Sequence, residues 1–470
     1  MQKIELEFMT LIKSISGIRG TIGGQVGENL TPIDAVKFAA AYGAWLKQNK
    51  TKENYRVVVG RDARISGKMI QNLVMNTLVG QGIHVINVGL STTPTVEMAV
   101  PMEHADGGII LTASHNPKQW NALKLLNEKG EFLDAVEGAK ILEIAESNNM
   151  DFADVDSLGK ITKNSAYIDL HIIEVLDLPL VTVKPIEEAR FRVVVDGVNS
   201  TGGIAIPLLL ERLGVDVIKL YCEPNGHFPH NPEPLKEHLT DLSEAVKKYK
   251  ADFGIVVDPD VDRLAFMDEN GDMFGEEYTL VACADYVLSR APGNTVSNMS
   301  STRALRDVTE KYGGTYEASA VGEVNVVKLM KKNKVVIGGE GNGGIIYPES
   351  HYGRDALVGV ALFLSLLADK NISVSALRKT YPNYFMSKKK IQLTPDLDVD
   401  GILTEIENRY TNEQLTTIDG VKIDFDESWV HLRKSNTEPI VRIYTEAKSQ
   451  EEADNLADKF IEELGEIATK

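Results

Sequence analysis

Cysteine is nearly absent: Cys222 and Cys283 are the two thiols in 470 residues. Two cysteines supply neither a disulfide framework nor a thiolate metal site, as expected for a reducing, cytoplasmic setting, and both read as small buried hydrophobes. No apolar run approaches the roughly 18 residues that a membrane-spanning helix needs, which argues against a membrane role. Positive charge is also short. Fifty Lys and Arg stand against 68 Asp and Glu, a formal charge of −18, and an acidic excess does not favour a nucleic-acid partner. Met1 to Phe8 mixes Lys3 with Glu5 and Glu7 and has no apolar core of the secretory kind, while Met9 is an alternative start. The oligomeric state, monomer or homodimer, is open at this level.

What the chain does contain is 43% hydrophobic and 25% charged residues, spread over a length too great for one core, so several domains are expected. One unit recurs: a β-branched run, a polar loop, an amphipathic stretch and a second β run. Its first copy has strands at 56–59 and 83–88 around a helix at 67–79, with Gly80 and Gly82 at the helix end. The second has strands at 191–195 and 215–220 around a helix at 203–213; the third has strands at 294–299 and 315–319 around a helix at 302–312. Each is the crossover of a parallel or mixed sheet, so three related α/β domains are expected. Beyond a helix at 361–367 the pattern changes to strands at 389–393, 421–425, 429–432 and 440–446, closed by a charged helix at 450–464. That is an α+β domain. The expected divisions are 1–158, 159–268, 269–374 and 375–470.

Four segments carry chemistry. Thr112-Ala113-Ser114-His115-Asn116-Pro117 follows a strand-like run, which places Ser114 on a loop with two hydrogen-bonding neighbours, His115 and Asn116. Alone, such a serine reads as a helix cap or a turn. Asp258-Pro259-Asp260-Val261-Asp262-Arg263 follows an apolar strand, and Pro259 disfavours a helix. In an extended loop its three carboxylates face one way. Their mutual repulsion calls for a cation, and oxygen-only ligands suit Mg²⁺; a solvated acidic turn is the alternative. A calcium loop does not fit, because position 6 is Arg263 where glycine is required. In Gly338-Gly339-Glu340-Gly341-Asn342-Gly343-Gly344 one carboxylate and one amide sit among glycines that admit a sugar ring, or the segment is merely a flexible turn. Arg433-Lys434-Ser435-Asn436-Thr437-Glu438-Pro439, with Arg442 nearby, has the donors of a phosphate cradle, or is a Ser/Thr turn with solvated charge.

In this order these segments resemble the α-D-phosphohexomutase family of phosphoglucomutases, phosphomannomutases and phosphoglucosamine mutases, over nearly the whole chain. Ser16-Gly17-Ile18-Arg19-Gly20 resembles the family's N-terminal active-site segment. The resemblance implies an α/β fold of four domains around a central cleft, each contributing one loop. It also implies a mutase that interconverts hexose 6- and 1-phosphates through phosphorylated Ser114 and a hexose 1,6-bisphosphate, which serves as primer. One Mg²⁺ per site would be held by Ser114, Asp258, Asp260 and Asp262, with Asn116 and Arg263 in support. Arg433, Ser435, Asn436, Thr437 and Arg442 would bind the non-reacting phosphate, and Glu340 and Asn342 the sugar. Lys124 matches a family lysine near the reacting hydroxyl; with Arg19 and His115 it completes the expected catalytic set. Many bacterial members have Ser and His where this chain has Asn342 and Gly344, so that histidine's acid/base role does not transfer. The glycine-rich form is closer to archaeal-type sugar phosphomutases, and the expected preference is for glucosamine phosphate over glucose or mannose phosphate. A phosphatase and a silent sugar-phosphate-binding protein are the rivals.

Overall fold

The computed structural model describes residues 10–14, 17–49, 52–147, 149–392, 398–434 and 440–468. They form two compact units, one of residues 1–279 with 343–375 and the other of residues 280–342 with 376–470.

The first unit contains two sheets. Its larger sheet has strands in the order Ile12–Ser14, Gly17–Thr21, Trp120–Leu126, Gly107–Leu111, Tyr55–Arg61, Ile83–Leu90 and Ile161–Lys163. Tyr55–Arg61 is parallel to both of its neighbours, whereas Gly107–Leu111 and Trp120–Leu126 pair antiparallel. The alternation of side chains sends Val57, Val59, Ile109 and Leu111 into a core with Phe38, Tyr42 and Leu78, and sends Val58 and Ile110 to the opposite face against Val96 and Val100. Both faces are therefore covered, which explains why these strands read as continuous apolar runs. The second sheet orders Leu264–Met267, Phe253–Val257, Arg192–Asp196 and Asp216–Leu220, and the first pairing is antiparallel. Helix Ala356–Lys370 returns to this unit and places Phe363 3.7 Å, centroid to centroid, over Phe266, with Phe253 and Phe274 edge-on.

In the second unit, strand Thr295–Asn298 runs parallel to Tyr316–Ser319 and to Ile337–Glu340. An antiparallel sheet follows, ordered Phe385–Gln392, Ile440–Ala447, Trp429–Lys434, Val421–Asp424 and Gln414–Thr416. Helices Val399–Arg409 and Gln450–Ala468 supply Ile406, Phe460 and Leu464 to a core with Ile423, Leu432 and Ile443. Three α/β layers and a distinct C-terminal α+β domain thus agree with the four-domain expectation.

Two local expectations change. Gly338 to Glu340 form the end of a strand rather than a loop, so the turn is confined to residues 341–343. Cys222 is only half-buried, with Sγ 3.3 Å from the carbonyl of Leu220; burial pushes its thiol up to about 11.

Candidate active site

Ser114 lies three residues beyond strand Gly107–Leu111 and Asp258 directly follows strand Phe253–Val257. Both are at carboxyl ends of strands in parallel pairings, where α/β sheets place their ligands. The serine has a left-handed backbone, φ 48°, a conformation that costs a side-chain-bearing residue about 1–3 kcal/mol and persists only when its surroundings enforce it. The enforcing group is Arg64, which is fully buried. Its Nε donates to Asp62 Oδ2 at 3.0 Å, and its Nη atoms donate to the carbonyls of Pro117 (2.7 Å), Trp120 (3.0 Å), Asn116 (2.6 Å) and Ser114. Thr112 Oγ1 donates to Asp62 Oδ2 at 2.7 Å and accepts from the Ser114 amide at 3.0 Å. One buried guanidinium thus holds four carbonyls of the serine loop and its continuation, and Thr112 holds the Ser114 amide.

The acidic loop is a turn, not the extended segment expected. Asp258 Oδ1 accepts from the amides of Asp262 (3.2 Å) and Arg263 (3.1 Å), while Ser200 and Thr201 hydroxyls donate to the Pro259 carbonyl at 2.7 and 2.9 Å. Val261, at φ 64°, is turned into the interior. The turn brings all three carboxylates together, with one oxygen of each within 4.8 Å of the others, and all three residues are 0% exposed. Each carboxylate also engages a distant part of the chain. Ser114 Oγ donates to Asp258 Oδ2 at 2.6 Å. Asp260 Oδ2 accepts from Lys124 Nζ at 2.8 Å and from Thr93 Oγ1 at 2.6 Å. Asp262 Oδ2 accepts from Arg354 at 2.7 Å, with Lys124 Nζ at 3.5 Å.

Asp260 Oδ1 and Asp262 Oδ1 are buried and have no hydrogen-bond partner among the described residues. Burial, then the neighbouring Asp260 and Asp262 charges, push the Asp258 carboxyl well above its usual range. Three buried carboxylates with two orphaned oxygens fit a divalent cation, and the oxygen-only donor set fits Mg²⁺. Burial opposes the Lys124 ammonium, but Asp260 and Asp262 outweigh it and raise its pKa. His115 has Nδ1 3.3 Å from Ser114 Oγ; burial, followed by Arg263 and Arg19, holds its imidazole well below its usual value and hence neutral. Arg19 Nη1 donates to Asn116 Oδ1 at 3.2 Å. Arg263 lies 3.5 Å from Glu233.

The second unit gathers the remaining described candidates. Glu340 is buried, and its Oε1 accepts from Asn298 Nδ2 (2.8 Å) and the Gly322 amide (3.2 Å). The next amide back, Val321, donates to Asp419 Oδ2 at 2.9 Å, and Arg433 Nε donates to the same oxygen at 2.7 Å. Glu340 is thus tied to Gly322 and, through Asp419, Arg433 to Val321, adjacent residues of one turn. Asn342 follows on the turn after Glu340 and is half-buried; Arg442 sits opposite Arg433 in the antiparallel pairing. Ser435, Asn436 and Thr437 lie outside the described residues.

Sequence reading missed Asp62, Arg64, Thr93, Arg354 and Asp419. Asp62 and Arg64 left a faint signal, a charged run directly after the apolar strand 55–61. Thr93 and Arg354 left none, since their partners lie 167 and 92 residues away.

Known proteins share this plan. Residues 11–151, 167–271 and 275–384 match the family descriptions "Phosphoglucomutase/phosphomannomutase, alpha/beta/alpha" domains I, II and III, and residues 388–463 match the same family's C-terminal domain. A "Phosphoglucomutase/phosphomannomutase" of Thermococcus kodakarensis is 36% identical, over 92% of this chain and 95% of that protein. A "Probable phosphoglucosamine mutase" of Methanopyrus kandleri is 32% identical, over 95% and 96%. The crystal structure of a phosphoglucomutase/phosphomannomutase family protein from Burkholderia thailandensis superposes with a TM-score of 0.83 at 24% identity, covering 97% of each chain, and so shares the fold. With all four domains matched in order, this chain belongs to the phosphoglucomutase/phosphomannomutase family of phosphohexose mutases.

Proposed function

We propose that this chain interconverts hexose 6-phosphates and hexose 1-phosphates by passing a phosphoryl group through Ser114, with glucosamine phosphate as its preferred substrate. The observation that carries the phosphoryl-transfer reading is the 2.6 Å contact between Ser114 Oγ and Asp258 Oδ2 at the buried acidic trio; the glucosamine preference rests on relatives named as probable phosphoglucosamine mutases. In the first half-reaction the bond from phosphorus to Ser114 Oγ breaks as a bond to the free sugar hydroxyl forms. The proton leaving that hydroxyl ends on Ser114 Oγ, and His115, neutral and 3.3 Å from that oxygen, is placed to relay it. The resulting 1,6-bisphosphate turns over and returns its other phosphoryl to Ser114. Lys124, 2.8 Å from Asp260, would add positive charge beside the transferring group. Asp258, Asp260, Asp262 and an oxygen on phosphorylated Ser114 would hold one Mg²⁺, which supplies charge neutralisation at the transferring group. Glu340 and Asn342 would read sugar hydroxyls. Arg433 and Arg442, with Ser435, Asn436 and Thr437, would grip the phosphate that does not react.

The test is a side-by-side assay of glucosamine, glucose and mannose 6-phosphates, each with its 1,6-bisphosphate and Mg²⁺. Glucosamine 6-phosphate is expected to give the highest kcat/KM; equal rates defeat the preference, and faster glucose or mannose turnover makes the Thermococcus relative the better guide. Ser114→Ala is expected to abolish turnover in a folded protein, and intact mass should find one phosphate on the wild type only. Inorganic phosphate released in step with sugar turnover would identify a phosphatase instead.

A further inference from the structure

A second cluster of ligating side chains, unused by the reaction at Ser114, lies within the first unit. His171 comes from helix Tyr167–Asp177, Glu97 from helix Thr93–Met102, Asp355 caps helix Ala356–Lys370, and His351 precedes that cap by four residues. His171 Nε2 and His351 Nε2 approach the same oxygen, Asp355 Oδ2, at 2.8 and 3.1 Å. One ligand atom from each of the three residues lies within 4.8 Å of the others; His171 and Asp355 are buried and His351 nearly so. We infer that His171, His351 and Asp355 form a second metal site, for a divalent transition ion of the zinc type, separate from the acidic trio.

The donor set argues for this ion class, since two imidazoles and one carboxylate suit Zn²⁺ and leave a fourth position open, whereas Mg²⁺ prefers oxygen alone. The spacing also fits. Ligands at about 2.0–2.1 Å around a tetrahedral ion stand roughly 3.3 Å apart; from 2.8 and 3.1 Å the two His–Asp separations would open by about 0.5 and 0.2 Å, and the ligand atoms of the two imidazoles lie within 4.8 Å of each other. More telling is the outer shell, because each ligand's far atom is already held in the manner of established zinc sites. His171 Nδ1 pairs with Thr95 Oγ1 at 2.9 Å. His351 Nδ1 faces Glu97 Oε2 at 3.5 Å. Asp355 Oδ1 accepts from the Leu357 and Val358 amides at 2.8 and 3.3 Å.

Hydrogen bonds without an ion account for the contacts to Asp355, but not as well for His351. Both of its ring nitrogens face carboxylate oxygens, Nε2 3.1 Å from Asp355 Oδ2 and Nδ1 3.5 Å from Glu97 Oε2, so the ring stands between an inner and an outer carboxylate as a metal-bound imidazole does. With an ion on Nε2, Nδ1 is the nitrogen left facing Glu97 Oε2 at 3.5 Å. Gly353 permits this approach, since a Cβ there would fall 1.9 Å from Glu97 Oε2 and 2.9 Å from His351 Cε1. The site adjoins the catalytic scaffold: Arg354, beside Asp355, holds Asp262, and Thr93, one turn before Glu97, holds Asp260. Its role is structural.

The experiment uses the full chain, stripped with chelator and kept in excess Mg²⁺ so that the acidic trio is occupied, then titrated with Zn²⁺. One Zn²⁺ per chain is expected to survive dialysis against Mg²⁺ and raise the melting temperature. Zinc-edge X-ray absorption should show two imidazoles. His351→Gln should weaken binding more than 100-fold, Glu97→Gln about 10- to 100-fold as for other outer-shell partners, and Asp260→Asn should retain the zinc. Absence of zinc retained in Mg²⁺, an oxygen-only shell, or loss in Asp260→Asn but not in His351→Gln would each overturn the assignment. If His351→Gln fails to fold, absorption on the wild type decides alone.

Discussion

Replacing Arg64 with methionine keeps most of the side-chain volume and removes the guanidinium that binds four carbonyls of the serine loop and its continuation. Its charge pairs with Asp62 at 3.0 Å in a fully buried setting, and four backbone carbonyls lose a donor. Removing one partner of a buried ion pair costs about 3–5 kcal/mol. Orphaned carbonyls add about 1–3 kcal/mol each where water does not reach, so the pair alone sets a lower bound. At about 2–4 °C per kcal/mol for a domain of this size, the first domain should unfold roughly 6–20 °C below the wild type. Activity should fall further than stability implies. Ser114 is held in a left-handed conformation partly by the lost contact to its carbonyl, and a displacement of about 1 Å costs on the order of 100-fold in rate. Scanning calorimetry gives the first quantity; a mutase assay at 20 °C, where the variant is folded, gives the second. Adding Asp62→Asn to Arg64→Met should recover part of the lost stability, because the stranded carboxylate is then gone. A melting temperature within about 2 °C of wild type, against the several degrees expected per few kcal/mol, together with unchanged kcat, would refute the reasoning.

Other perturbations test neighbouring parts. Lys124→Met should lower kcat by about 100-fold, the effect of losing one preorganised charge donor, while tightening Mg²⁺ binding, since Asp260 and Asp262 lose their internal counter-charge; a Mg²⁺ titration of kcat separates the two effects. Phe363→Ala should destabilise the first unit by about 3–5 kcal/mol, because the ring stacks on Phe266 and touches Phe253 and Phe274; urea unfolding measures it. His230 pairs with Asp196 at 2.9 Å; burial works against its charged form, but Asp196 outweighs burial and raises the imidazole pKa. The pair's contribution is therefore complete below the unfolded value of about 6.5 and lost as pH rises through the folded value. The melting-temperature gap between wild type and His230→Gln should close as pH rises from acid to alkaline, and a widening gap would contradict the sign.

Much of this was legible in the residues because the signals are local. Strand 192–196 and helix 202–212 follow from β-branched runs and from Gly214 after the helix, and the three aspartates announce themselves by spacing. The backbone route that unites them did not. Alternation of an extended loop is a two-residue rule, whereas the actual turn depends on Val261 adopting positive φ and on Ser200 and Thr201 holding the Pro259 carbonyl. The three-residue strands at 12–14 and 161–163 are too short for any periodicity. Helix 399–409 escaped because its surroundings are polar, and Val399, Ile402, Leu403 and Ile406 alone mark a buried face. Arg354 and Thr93 belong to the site through sequence separations that no motif spans.

Helix Ala356–Lys370 has a consequence for synthesis. The unit built by residues 1–279 is completed by residues 343–375, and these bring both the ring that covers Phe266 and the arginine that meets Asp262. A chain leaving the ribosome at residue 342 has made every strand of its second sheet but lacks the aromatic cover and the Arg354 guanidinium that meets Asp262. At about 5–20 residues per second, that interval lasts several seconds. The nascent chain must carry an open aromatic face through it, so this junction is where chaperone dependence and premature aggregation would concentrate.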